Sequence, residues 1–372
     1  MKPDELVVRF LSNIGRPGEV DVYLKLFRAA RPESFAILAV SDSVLQVAAG
    51  ALVTDLGFLS SLGLRPVVVL GLVAPRKATA TAHQLSEWLS TDVPHAIVGA
   101  DDAGETARSG IIPLVPLDGA GARSTDAQFA ALAQLASTLE TRKVVFLGRR
   151  SGLRPVGKPT PSLVDVTSES DALLAPGALP VKQAALLAQI RTLLATVPHR
   201  MTVSVTSPLD LLRELFTERG AGTLIRRGST VRRATSLAEI DRPRLEQLIE
   251  SSFGRSLAPS FWDRPFERAY IAGDYRGASV VSATPLGAYL SKFAVDSPAR
   301  GEGVGRDLWS AMSADYAVMF WRSRAGNALN SWYARNCEGM QRGDTWHVFW
   351  RGLDSAAIPA AIAYAAAAPL DL

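Results

Sequence analysis

The most chemically suggestive stretch of this sequence runs from Tyr289 to Trp309, YLSKFAVDSPARGEGVGRDLW. A short apolar strand enters a turn with glycines at 301, 303 and 305, and a helix leaves from about Val304. Such a turn aims several backbone N–H groups and the positive end of the helix at one place, which suits a phosphate or pyrophosphate. Glycine lets the backbone come close to that ligand. A tight turn with no ligand would look much the same. The stretch lacks the Gly-Lys-Ser/Thr ending of a phosphate loop. A dinucleotide-binding turn would need an acid about 20 residues on. Asp315 comes too early, and Val318-Met-Phe-Trp321 leads instead into Arg-Ser-Arg.

Other reactive residue types give weaker signals. The four histidines, 83, 95, 199 and 347, have no ligand spacing, so no metal is expected. His347 lies in an alternating run and reads as structural. Cys337, the one cysteine, has no His/Asp constellation and reads as an idle thiol. It forbids an intramolecular disulfide and fits a reducing compartment. Lys292 stands inside an apolar strand, where packing alone hardly explains it.

The elements that must position these groups fall into two patterns. Phe35–Val40, Pro66–Gly71 and Lys143–Gly148 are short continuous apolar runs, the mark of buried parallel strands. Helical stretches at 44–62 and 126–139 lie between them, giving βαβ units of an α/β sandwich. Two helices joined by Gly15-Arg16-Pro17-Gly18 precede it. Loops, or a hairpin, are expected over 148–177, then helices at 182–194 and 208–218 and strands at 202–205 and 223–225. From Val231 an α+β pattern begins, with a helix at 240–252 and strands near 269–271, 278–283 and 289–295. The 372 residues carry 40 basic and 36 acidic side chains, a net +4, which makes no electrostatic case for nucleic acid. The longest uncharged stretch, Ser355 to Leu370, has 16 residues, is broken by prolines and falls short of a membrane span. With no basic-then-apolar leader at its start, the chain is expected to be cytoplasmic.

The Arg-x-x-Gly-x-Gly at Arg300–Gly305 resembles the pyrophosphate turn of the GNAT acetyltransferases, which hold acetyl-coenzyme A. Lys292-Phe-Ala-Val295, Phe320-Trp-Arg-Ser-Arg324, Asn327 and Trp332-Tyr333 are similar to the acetyltransferase domain of the N-acetylglutamate synthases, in their vertebrate-like class. That class includes bifunctional bacterial synthase-kinases. Ser252–Arg255, Tyr270–Tyr275 and Trp346–Leu353 fit the same domain, and Val203–Gly228 resembles the end of the family's amino-acid kinase domain. The resemblance implies an α/β chain: N-terminal helices over 1–28, a degenerate amino-acid kinase-like sandwich over 29–228, an α+β GNAT-type domain over 232–354, and a tail over 355–372.

It also implies roles. The acetyl-coenzyme A turn would comprise Phe293, Ala294, Val295, Arg300, Gly301, Gly303, Val304 and Gly305. The acceptor, L-glutamate, would meet Lys292, Arg322, Asn327 and Arg255, since its carboxylates call for cations and amides. Tyr333 would donate a proton or hydrogen bond to the departing sulfur. Glu214, Gly220, Gly222 and Thr223 would bind an effector arginine, and the chain would form a homodimer or tetramer. Where the family usually has Asp before this lysine there is Ser291, so another amino-acid acceptor is an alternative, as is a catalytically weak regulatory subunit. A kinase of this fold would carry a lysine and paired glycines after its first strand; those places hold Ala39 and Ser41-Asp42. The second phosphate turn is replaced by Leu70-Gly-Leu-Val-Ala-Pro75, so kinase activity is not expected, although Lys182 could be a remnant of that site.

Overall fold

The computed structural model describes residues 35–72, 77–89, 91–117, 124–217, 220–264, 266–296, 299–327 and 329–372. The two expected N-terminal helices lie outside the described residues. The chain divides into two compact units between Gly228 and Ser229.

The first unit alternates strands and helices: β1 (Ile37–Val40), α1 (Asp42–Ser61), β2 (Val67–Leu70), α2 (Ala78–Trp88), β3 (His95–Ile97), α3 (Ala103–Arg108), β4 (Ile112–Pro116), α4 (Thr125–Thr138) and β5 (Lys143–Leu147). Then follow β6 (Leu163–Asp165), α5 (Ser170–Leu174), α6 (Val181–Thr196), β7 (Thr202–Thr206), α7 (Leu211–Phe216) and β8 (Thr223–Arg226). Among the described residues these strands form one sheet, ordered β3-β4-β2-β1-β5-β7-β8-β6, parallel except for the β7–β8 pair. The continuous apolar runs are explained by burial on both faces. Ile37, Val67, Val69, Val144 and Phe146 pack toward α4 and α6, through Phe129, Leu132, Leu187 and Ile190. Their neighbours Leu38, Val40, Val68, Leu70 and Val145 pack toward α1 and α2, through Leu52, Leu56, Ala82 and Leu85. Each such side chain contributes about 1.5–3 kcal/mol on burial. Helix α1 has the length and composition of a membrane span, and Val44, Leu45, Leu52, Leu56 and Leu59 are buried.

The segment from 148 to 177 differs from the expected loops or hairpin. Its strand β6 pairs in parallel with β8 at the sheet edge.

The second unit comprises β9 (Val231–Ala234), α8 (Arg242–Phe253), β10 (Arg268–Ala272), β11 (Gly277–Thr284), β12 (Gly287–Val295), α9 (Val304–Asp315), β13 (Met319–Arg324), α10 (Asn330–Asn336), β14 (Gly339–Gln341), β15 (Trp346–Arg351) and α11 (Ile358–Ala367). Among the described residues the sheet order is β14-β15-β13-β12-β11-β10-β9, antiparallel except for β12–β13. Helix α9 crosses over between that parallel pair and covers one face, where Leu308 and Met312 meet Tyr270, Val281 and Leu290. Helix α8 covers the other, with Leu245, Leu248 and Ile249 against Ile271, Val280 and Ala294. Residues 355–372 are not a tail outside the domain, as expected, but part of it. Ala361 and Ala365, four apart on one face of α11, bury against Tyr289, Phe320 and Val348. Small side chains allow that close approach.

Candidate functional site

The site is built where two parallel strands part. Strands β12 and β13 pair only at Ala288–Leu290 and Met319–Trp321. Beyond those positions β12 continues to Val295 paired with β11, and β13 continues to Arg324 paired with β15. The register of β12 against β11 slips, Val281 facing Leu290 while Val280 faces Lys292, so Ser291 is the extra residue of a bulge. The bulge bends β12 at the point where it leaves β13. Among the described residues, no strand pairs with 291–294 on the side away from β11, a wall to which an extended ligand can hydrogen-bond.

At the end of that wall lies the glycine turn. Gly301 and Gly303 adopt φ of +79° and +81°, a region closed to most side chains, and Gly303 caps α9. Val304 and Gly305 form the first turn of α9, where backbone N–H groups have no preceding carbonyl of their own helix. Val304 and Ala294 are almost fully buried, so what they can offer a ligand is backbone. The Arg300 side chain is used internally: its guanidinium donates to the carbonyls of Ser252 at 3.1 Å and Val295 at 3.4 Å, lashing the turn to α8 and β12.

Behind the opening stands an aromatic layer. Tyr333, on α10, is 5% exposed and touches Phe293, Trp309, Trp321, Trp332 and Phe349, with ring centroids 5.5–6.5 Å apart. Burial pushes its phenol well above the ordinary tyrosine range, so it remains a proton-bearing donor. Among the described residues its hydroxyl makes no hydrogen bond.

The basic residues gather at the mouth. Lys292 is 6% exposed. Its ammonium meets the Asp371 carboxylate and lies 5.0 Å from the Phe261 ring centre. Burial lowers its pKa, with Asp371 opposing that shift. Arg264 closes on the same carboxylate. Arg322 stacks 4.2 Å over Trp346 and donates to the carbonyls of Ala365 at 3.0 Å, Ala366 at 3.3 Å and Pro369 at 2.8 Å. Of the four expected acceptor residues, Lys292 and Arg322 meet residues 369–371 here, whereas among the described residues Arg255 and Asn327 make no hydrogen bond to that segment. Arg255 is exposed just past the end of α8, capped by Gly254. Asn327 spends its amide on its own loop, its Nδ2 donating to Ser323 Oγ at 2.8 Å and its Oδ1 accepting from the Leu329 N–H at 2.9 Å. Arg264 was missed, because nothing in the run Trp262-Asp-Arg-Pro265 marks it out; only the folded return of residue 371 does.

In the first unit, the segment expected to offer exposed groups to arginine is instead knitted into the sheet. Glu214 is 3% exposed. Its Oε1 accepts from Lys143 Nζ at 2.9 Å and Ser204 Oγ at 2.5 Å, and its Oε2 from the Ala221 N–H at 2.9 Å. Burial acts to raise its pKa, but Lys143 and these donors outweigh it and hold the carboxyl below its usual value. Gly220, at φ +62°, leaves room for that carboxylate, and a side chain at Gly222 would strike the Val205 carbonyl. Thr223 is fully buried, donating to the Pro161 carbonyl at 2.6 Å and accepting from the Leu153 N–H at 2.9 Å.

A single parallel pair within an antiparallel sheet, parting where a helix-capping glycine turn opens, is the arrangement of a GNAT-type N-acetyltransferase domain, and the unit before it is an amino-acid kinase-like α/β sandwich. Residues 232–367 match the family model for the N-acetyltransferase of N-acetylglutamate synthase. The chain is 32% identical to a protein of Xanthomonas campestris named acetylglutamate kinase, over 91% of this chain and 94% of that one. It is 30% identical to human mitochondrial N-acetylglutamate synthase, over 92% of this chain and 74% of the human protein. The solved structure of N-acetylglutamate synthase from Neisseria gonorrhoeae, in complex with coenzyme A and N-acetyl-glutamate, covers 90% of this chain and 98% of its own with a TM-score of 0.53. At 17% identity that likeness is one of fold. The chain belongs to the N-acetylglutamate synthase family, in its vertebrate-like class.

Proposed function

We propose that this chain is an amino-acid N-acetyltransferase that moves the acetyl group of acetyl-coenzyme A onto the α-amino group of L-glutamate. The observation that carries the acceptor is the grip of Lys292 and Arg264 on a carboxylate, beside Arg322, at the mouth between β12 and β13. A pocket that holds an aspartate carboxylate with two cations is chemically suited to an acidic amino acid. The names of the human and Neisseria relatives support the same reading.

Gly301, Gly303, Val304 and Gly305 would hold the pyrophosphate of acetyl-coenzyme A, and the backbone of Phe293, Ala294 and Val295 would hold its pantetheine arm. The neutral amine attacks the thioester carbonyl carbon, a C–N bond forms, the C–S bond breaks, and the sulfur leaves with the electron pair. Tyr333 donates to that sulfur as its charge develops. The amine's proton leaves through solvent. Alignment of both substrates in one complex supplies much of the rate, with no acyl-enzyme. Arginine serves as effector, bound at the kinase-like unit, and the chain works in the cytoplasm as a homodimer or tetramer.

The test is coenzyme A release across twenty amino acids plus ornithine and aminoadipate. Release is expected only when acetyl-coenzyme A and an acidic amino acid are both present. Preference for a neutral or basic acceptor would sink the glutamate assignment and spare the transferase.

A further inference from the structure

Both mouth cations that match the sequence reading are already engaged, and by the same few residues of the chain. Helix α11 ends at Ala367; Ala368 turns extended, at φ −55° and ψ 136°, and Pro369 cannot continue the helix. Residues 369–372 then run back across the mouth. The Asp371 side chain, 7% exposed, sits between Lys292 and Arg264. Its backbone carbonyl accepts from the Ala258 N–H at 2.8 Å, and the Pro369 carbonyl accepts from Arg322. Leu372 rests at the edge of the α8 core, while Leu370 is 65% exposed.

We propose that residues 369–372 form an internal strap that occupies the acceptor's carboxylate site, Asp371 standing in for a substrate carboxylate, so that strap and acidic amino acid bind exclusively of one another. The inference rests on the reading of Lys292 and Arg322 as acceptor residues. Its chemistry is a matching of charge. Lys292 is too buried to be left without an anion, and removing its partner strands a charge in a dry place. The strap supplies that anion when the pocket is empty; the incoming dicarboxylate supplies it when the pocket is full. Exchange of one carboxylate for another leaves the lysine paired in both end states. The strap is short and held at few points: the Asp371 carboxylate between two cations, one backbone hydrogen bond from Ala258, the Arg322 contact and one half-buried leucine. A strap that must leave before the acceptor enters lowers apparent affinity by the fraction of time it is closed.

The experiment uses the full chain and the Asp371→Asn variant, which keeps shape and Leu372 while removing the charge. Glutamate-dependent coenzyme A release should show a KM at least threefold lower in the variant. A KM unchanged or raised would mean that Asp371 supports the site rather than competes for it. Hydrogen exchange on the unmodified chain gives an independent readout. Saturating N-acetylglutamate should speed exchange at the Ala258 amide and over residues 370–372, since the bond from Ala258 to residue 371 opens. Slower or unchanged exchange there overturns the strap. Absence of glutamate-dependent release from both proteins would bring down the acceptor assignment and the strap together, whereas an active enzyme with no KM decrease removes the strap alone.

Discussion

A tyrosine buried in an aromatic layer, with no hydrogen bond among the described residues, keeps a proton that it can donate. Burial among Trp309, Trp321 and Trp332 keeps the Tyr333 phenol protonated across any working pH, so it can donate to a thiolate but cannot act as a base. Tyr333→Phe should lower kcat by roughly a hundredfold and leave the KM for both substrates near its starting value. Steady-state kinetics against each substrate check this, and a raised KM with full kcat would reduce Tyr333 to packing. The residue scale is also where the sequence was most and least informative. Lys292 was legible because a charge inside an apolar strand demands a reason. Glu214 was not: its partners Lys143 and Ser204 lie 71 and 10 positions away and meet it only through the pairing of β5 with β7. A carboxylate beside two glycines looks like an open site until that register is known.

Elements were legible in proportion to how continuous their apolar runs are. β1, β2 and β5 stand out because both faces of the sheet are covered. β3 does not, with three half-buried residues, and β4 reads poorly because it holds Pro113 and Pro116. Those prolines are tolerated because β4 pairs with β3 over Ile112–Leu114 and with β2 over Leu114–Pro116, so each lies beside one neighbour only. Helix α1 shows the opposite problem, a residue that fits the pattern badly and costs stability. Burial raises the Asp55 pKa to about 7, from a value near 3.8 in the unfolded chain. The unfolded state therefore loses this proton first. The cost of the charge is absent below about pH 4, grows as pH rises toward 7, and is constant above it. Asp55→Asn removes that cost and, discounted for the solvent that still reaches a partly buried group, should raise Tm by roughly 5–10 °C at pH 8, with the gain vanishing by pH 4. Thermal melts at the two pH values decide it; a gain equal at both would assign the effect to something other than ionisation.

At the scale of the whole molecule the open matter is the first unit, whose layers are those of a kinase and whose relatives include proteins named for kinase activity. Phosphoryl transfer is catalysed by positioning and by neutralising charge, so the turn after the first strand should concentrate positive potential. Here it does the reverse. The chain leaves β1 at Val40 and enters α1 at Asp42, which places a carboxylate in the first helical turn, where a phosphate would otherwise find the positive end of the dipole. The Ser41 hydroxyl pairs with that of Ser43 at 3.0 Å, and the nearby cation, Lys77, lies 3.6 Å from Asp42 and is largely exposed. Lys182 stands exposed at the start of α6. Two carboxylate oxygens in place of glycine amides repel what a kinase must hold. The full chain should therefore give no binding isotherm with magnesium-ATP in titration calorimetry, and no ADP when N-acetylglutamate is added. A clear isotherm would mean that another part of the unit grips the nucleotide, and release of ADP would extend the activity named for the Xanthomonas relative to this chain. With neither, the first unit takes no part in phosphoryl transfer, and the chemistry to be sought lies where β12 and β13 part after Leu290.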